Sequence, residues 1–194
     1  LSLIRARYLS FTEPTRSILD LAAVLGRAFD LSLLEAAAGR PGQRIWPAFA
    51  PLVDAGVLLE TDGGEYVFSH DKLLQTIYQG LGTPVRRALH ARAAAALARR
   101  GADPSDLVHH HLRAQQWEKA YARLIEVGDQ AERRAAWQGA ILAYSRAEAL
   151  AAHLAEPARS ELDGLKRRER ILEVLDRRSA RAVAVERMIE LSRE

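Results

Sequence analysis

The stretch YVFSHDKLLQTIYQGLGTPVRRALHARAAA, from Tyr66 to Ala95, joins two kinds of pattern. Its first residues finish a β-hairpin: the β-capable runs VLLE (57–60) and EYVF (65–68) flank Asp62-Gly63-Gly64, where glycine accepts the positive φ of a tight turn. After His70 the strand signals stop, and helical spacing is predicted over 70–81, 84–100, 104–115, 117–133, 137–153, 158–177 and 180–193. Gly82-Thr83-Pro84, the run from Gly101 to Pro104, and Glu156-Pro157 divide these helices. Connections this short make neighbouring helices pack antiparallel.

Upstream, Ile18, Leu21, Ala22 and Leu25 recur at helical intervals, predicting a helix over 13–28 with Thr12 as N-cap and Pro14 in the first turn. A second helix is expected over 31–38, stopped by Gly39 and Pro41. QRIWPAFAPLVDA (43–55) predicts a third, ending at Gly56, although Pro47 and Pro51 each remove a backbone donor. Three helices followed by a two-stranded wing is the pattern of a winged helix-turn-helix. The expected fold class is therefore mainly α: a winged-helix domain at 1–82, then a tetratricopeptide-like array of antiparallel helical hairpins at 83–194.

The repeat signal lies in that second part. Trp117, Ala120 and Leu124 are echoed by Trp137, Ala140 and Tyr144, alternating large and small residues on one helical face. AAWQGAILAYSRAEAL (135–150) resembles the second helix of a tetratricopeptide repeat, though an offset of about 20 residues is shorter than the full repeat of about 34. Leu162, Leu165, Leu172 and Leu175 are expected to face Val183, Val185, Met188 and Ile189 in a further hairpin.

Composition narrows the function classes. Of 194 residues, 48% are hydrophobic and 27% charged, ordinary for a globular chain. Aromatics are only 6%, so alanine and leucine must carry the packing. No apolar run reaches the roughly 18 residues of a membrane span. The start, LSLIRARYLS, lacks the apolar core of a secretory signal. With no cysteine, disulfides and thiolate metal sites are excluded and a cytoplasmic location is expected. The missing initiator Met predicts a segment of a longer protein. A net charge of +3 is too small to mark a nucleic-acid binder.

Taken in combination, three local patterns resemble the middle region of large bacterial signal-transduction ATPases, including LuxR-type transcriptional regulators. LDLAAVLGRAFDLSLLEAAAG (19–39) is similar to the opening helices of their winged unit. LVDAGVLLE with YVFSHDKLLQTIYQGL is similar to its third helix, wing and exit helix, and RRALHARAAAAL (86–97) to the helix that follows. The likeness covers about Thr12 to Leu150. It implies a nucleotide-binding domain upstream of this region and a helical-repeat sensor within it. The phosphate-loop pattern GxxxxGK[ST] is absent from this chain, and no second helix-turn-helix follows the repeats.

Several constellations invite chemistry and then fail its geometry. Ser69-His70-Asp71 are adjacent, whereas catalytic triads converge from distant positions; capping of the exit helix is expected instead. His109-His110-His111 point about 100° apart on a helix and cannot chelate one ion; one is expected to face inward and two outward. His90 is expected to be buried, and Trp117 and Trp137 to fill the inter-helix core. In QRIWPAFAPLVDA only Gln43, Arg44 and Asp54 could read bases, while Trp46, Phe49, Leu52 and Val53 are spaced for burial. Arg86, Arg87, Arg92, Arg99 and Arg100 form a basic set with no acidic residue between them, a candidate for contact with a partner or phosphate.

The expectation is a non-enzymatic segment with no cofactor or metal. It would act by regulatory packing and protein interaction, with other domains of a parent protein or a protein partner rather than a membrane. Two alternatives stand beside it: a winged-helix transcription factor contacting DNA, which is less favoured, and a stand-alone helical-repeat adaptor holding a peptide or protein.

Overall fold

The computed structural model describes residues 2–39, 42–175 and 178–192, and within these the side chains of all but residues 2–3, 42–43 and 178–182. The chain is mainly helical, with one small antiparallel sheet. It divides into two compact units, Leu1–Ala102 and Asp103–Glu194.

The first unit contains α1 (Ser2–Ser10), α2 (Glu13–Leu25), β1 (Ala28–Asp30), α3 (Leu31–Ala38), α4 (Gly42–Asp54), β2 (Leu58–Glu60), β3 (Glu65–Phe68), α5 (Asp71–Gly80) and α6 (Thr83–Arg99). Thr12 caps α2, its hydroxyl accepting from the Thr15 amide at 3.5 Å, and Pro14 lies in the first turn. Asp30 caps α3 more tightly, at 2.7 Å from the Leu33 amide, and Gly39 closes that helix in the left-handed region with φ 67°.

β3 lies between β1 and β2, pairing antiparallel with both. Phe29, Leu58, Tyr66 and Phe68 turn inward, while Ala28, Val67 and Leu59 form one outer row. The inner face meets Leu19, Leu21, Ala22, Leu34, Ile45, Phe49 and Leu52 in one core. Phe49 meets Tyr66 edge-on, ring centroids 4.7 Å apart.

Two elements here go beyond the sequence reading: α1 and β1. The expected boundary after Gly82 also differs from the observed packing. Helix α6 packs on α2 and α3, and its Leu89, Ala93 and Ala96 join the first core. Alanines give α6 a low face that lies close against its neighbours, so this helix stays with the first unit.

The second unit contains α7 (Pro104–Arg113), α8 (Trp117–Arg133), α9 (Trp137–Leu150), a 3-10 turn (Ala151–His153), α10 (Pro157–Val174) and α11 (Arg178–Leu191), each helix packing on the next. The α7–α8 and α8–α9 connections share one turn. Gln115 and Ala135 take left-handed φ of 56° and 55°. The next amides then reach back: Gln116 to the His111 carbonyl at 3.0 Å, and Ala136 to that of Ala131 at 2.9 Å. This is a Schellman turn built twice, with a tryptophan opening the following helix each time.

The α10–α11 pairing differs in detail from the expected leucine–valine face. Leu162, Leu165 and Met188 do pack together, joined by Ala158, Ala184 and Leu191. Val183 and Ile189 are exposed, Leu172 is buried outside this cluster, and Leu175 packs with the cluster of Ala140 and Tyr144 on α9. The helical phase is set by Ala184, which lets α11 approach α10 closely.

Candidate functional site

The five arginines do not form one outward patch. Arg92 Nε donates to the Ala37 carbonyl at 2.9 Å and an Arg99 terminal nitrogen to that of Ala36 at 2.7 Å. These carbonyls belong to the last turn of α3, where a helix leaves acceptors unpaired and presents partial negative charge. Arg100 grips the other end of α3: its two terminal nitrogens each donate at 2.8 Å to the two oxygens of Asp30. The Arg100 guanidinium holds the Asp30 carboxyl well below the usual range, helped by the Ser32 hydroxyl and the Leu33 amide. Arg86 lies 4.8 Å over the Tyr78 ring and donates to the Leu81 carbonyl at 2.9 Å, closing the end of α5. Arg87 is exposed. Four of the five thus bind elements of their own unit.

The other constellations resolve similarly. Ser69-His70-Asp71 provides no side-chain cap: His70 occupies the N-cap position of α5 without a side-chain bond. Asp71 turns instead to Arg27, 2.9 Å away in an exposed pair. His90 is fully buried, with Nε2 2.9 Å from the Tyr78 hydroxyl.

The three histidines depart from the expected one in, two out: His110 and His111 are both buried and His109 is exposed. The apolar stripe of α7, which includes Leu107 and Val108, is wide enough to take two adjacent positions. Burial lowers the affinity of all three for protons, His110 most, to about 4, with its two neighbours adding repulsion. No group of three potential ligands is placed to hold a metal ion among the described residues.

On α4 the buried face is Ile45, Phe49 and Leu52, with Val53 partly covered. Trp46 is exposed, contrary to expectation, because residue 45 rather than 46 falls one turn before Phe49 on the core side. Arg44 and Asp54 are exposed; the side chain of Gln43 lies outside the described residues. Trp117 and Trp137 are half-buried rather than central. Trp117 stacks on His153 with centroids 4.6 Å apart, and Trp137 packs at the edge of the Tyr144 cluster.

Two polar arrangements went unread in the sequence. In the second unit, Tyr144 is fully buried and donates to Asp129 at 2.7 Å and Glu132 at 3.0 Å. From α10, Arg167 reaches Asp129, and Arg170 grips Glu132 with two bonds of 3.0 and 2.7 Å. One tyrosine and two arginines therefore tie α9 and α10 to α8.

The second arrangement is a cleft of about 530 Å³ in the first unit, among α1, α2 and α5. Ile4, Leu9, Ile77 and Leu81 supply apolar walls, with Tyr8, Asp20 and Thr76 among the polar lining. The Tyr8 hydroxyl sits 3.0 and 3.1 Å from the two oxygens of Asp20. Burial raises the proton affinity of the Asp20 carboxyl, opposed by Tyr8 and by Arg16. Asp20 sits within the helical period of α2 and breaks its apolar run, the one local sign of this site.

Among the described residues no helix is long and apolar enough to cross a membrane. Comparisons with family models, curated proteins and solved structures find no match for this chain.

Proposed function

We propose that this chain is a non-catalytic regulatory and protein-interaction segment of a multidomain bacterial transcriptional regulator. In this reading the first unit is a winged helix that relays movement of a neighbouring nucleotide-binding domain, and the second is a tetratricopeptide-like array that meets a partner.

The observation that carries the reading is the use of the basic set. Arg86, Arg92, Arg99 and Arg100 bond to the ends of α3 and α5. A DNA-binding module needs such cations turned toward phosphate and polar groups on the reading helix. Helix α4, which would be that reading helix, buries Ile45, Phe49 and Leu52 and exposes Trp46. The element order α2, β1, α3, α4, β2, β3, with β3 between the other two strands, supports the winged-helix assignment. The twice-built turn at Gln115 and Ala135 supports the repeat assignment, since equal turns give consecutive helices equal rotations.

Fluorescence anisotropy with a panel of labelled duplexes, at low and physiological salt, tests the choice against DNA binding. Weak binding, indifferent to sequence, is expected; sequence-selective, salt-sensitive binding would replace the proposal with a transcription factor. The coding sequence immediately upstream tests the relay. A phosphate-loop motif there is expected, and its absence removes the nucleotide-coupled part of the reading.

A further inference from the structure

We propose that the cleft among α1, α2 and α5 is a binding site for a small amphipathic cation, its ammonium on the Asp20 carboxylate and its hydrocarbon against Ile4, Leu9, Ile77 and Leu81. This inference does not depend on the regulatory reading.

The volume of about 530 Å³ suits a small ligand, and the lining is apolar with a few convergent polar groups, as ligand pockets are built. The carboxylate is under-served. Both its oxygens share the one Tyr8 hydroxyl, whereas a carboxylate can accept about four hydrogen bonds. Among the described residues no cation lies within ion-pair distance of Asp20.

The nearest candidate cation on the same helix is Arg16, one turn earlier. Its guanidinium donates to the carbonyls of Phe11 at 2.8 Å and Leu9 at 3.4 Å and lies 6.0 Å over the Tyr8 ring, near enough to favour the charged carboxylate but not bonded to it. Arg16 lines a second cavity of about 380 Å³ on the α6 side, not the first. Tyr8 and Asp20 line both cavities and so stand between them. Arg5, the other charged residue of the first cleft, is exposed and on a long stem that solvent can accommodate.

A half-buried carboxylate with no cation in direct contact is costly to ionise, and a ligand ammonium would supply that contact in a place of reduced dielectric. Apolar walls on α1 and α5 would remove a short alkyl tail from water at the same time. An anion would meet Asp20 unfavourably, and a neutral alcohol would gain the walls without the charge.

Calorimetric and NMR titration of the whole chain with hexylamine, hexan-1-ol and hexanoate at neutral pH distinguishes these cases. Hexylamine is expected to bind at least about tenfold tighter than hexanol, with shifts centred on Ile77 and Leu81. Asp20→Asn should abolish that margin while leaving hexanol binding unchanged. Tyr8→Phe should preserve or strengthen amine binding, since it frees carboxylate lone pairs. Gly80→Trp, at a cleft-lining position where a β-carbon meets nothing within 4 Å, should block all three probes with the thermal melt retained. Equal affinity for the amine and the alcohol, preference for hexanoate, shifts centred elsewhere, or no binding up to about 10 mM would each overturn the proposal.

Discussion

Tyr144 lies directly over Gly128: a β-carbon built at residue 128 would overlap the Tyr144 ring at Cε1. Glycine in mid-helix ordinarily costs stability, so its presence in α8 marks the place where α9 comes closest. The tyrosine ring occupies the missing side chain's space, and its hydroxyl reaches Asp129 and Glu132 beyond. Gly128→Ala is therefore expected to destabilise the chain by about 1–2 kcal/mol, the overpacking outweighing the helix-propensity gain. Gly139→Ala is the control, because its β-carbon would meet only Ala131 at 3.7 Å. That change should be neutral or stabilise by up to about 1 kcal/mol. Urea denaturation of both variants checks the contrast, and equal effects would show that Tyr144 is not packed this closely.

The two Schellman turns hold non-glycine residues, Gln115 and Ala135, at positive φ. A β-carbon there costs about 1–2 kcal/mol, partly offset by the greater freedom that glycine gives the unfolded chain. Gln115→Gly and Ala135→Gly should each stabilise by about 0.5–1 kcal/mol. Thermal melts that fall in both variants would refute the left-handed turns.

Glu148 gives the second unit a pH dependence. It lies over Gly164, where a β-carbon would meet Glu148 Cγ at 2.7 Å, and Oε1 has no hydrogen-bond partner. Burial raises its proton affinity to about 7; Arg168, 3.1 Å away, opposes this and Glu161 adds to it. A carboxyl whose folded affinity is raised contributes stability below its unfolded pKa, near 4.5, and loses it as pH rises through about 7. His110 has the opposite sign: its affinity is lowered to about 4, so its contribution is complete above about 6.5 and lost as pH falls through 4. His109 and His111 share the sign of His110, so Glu148 is isolated by comparing the unaltered chain with Glu148→Gln, which keeps all three histidines. Relative to that variant, the stability of the unaltered chain is expected to fall by about 2 kcal/mol between pH 5 and 8. A difference that stays constant over this range would mean the carboxyl is solvated.

Asp30 does two jobs, capping α3 and accepting both bonds from Arg100. Asp30→Ala should cost about 1–2 kcal/mol, chiefly through the lost cap. The arginine pair is more than a third exposed, 39% and 38% for the two side chains. Arg100→Ala should therefore cost less than about 1 kcal/mol, with a coupling energy of similar size in a double-mutant cycle. A coupling near zero would remove Arg100 from the clamp on α3.

Much of the local structure was legible before any coordinates. The helix predicted at 31–38 and that at 117–133 match α3 and α8 at both ends. The hairpin at Asp62-Gly63-Gly64 is present, with Gly64 at φ 76°. Strand β1 was not, because three residues, Ala28 to Asp30, carry no readable period. Helix α1 escaped for a related reason: its hydrophobic residues form no strong single face, and it is placed by contacts such as Tyr8 with Asp20. The arginines of α6 were visible as a set, but their partners, the carbonyls of Ala36 and Ala37 and the carboxylate of Asp30, lie 55 to 70 residues away in the chain.

By itself the sequence determined where helices start and stop, since caps, glycines, prolines and apolar period act within a few residues. Tertiary structure alone decided which charges neutralise one another, which helix tolerates a glycine, and where a carboxylate is left facing a cleft. Those outcomes depend on distances between segments remote in the chain, and hydrogen bonding and close packing act only once folding has brought such segments within a few ångströms.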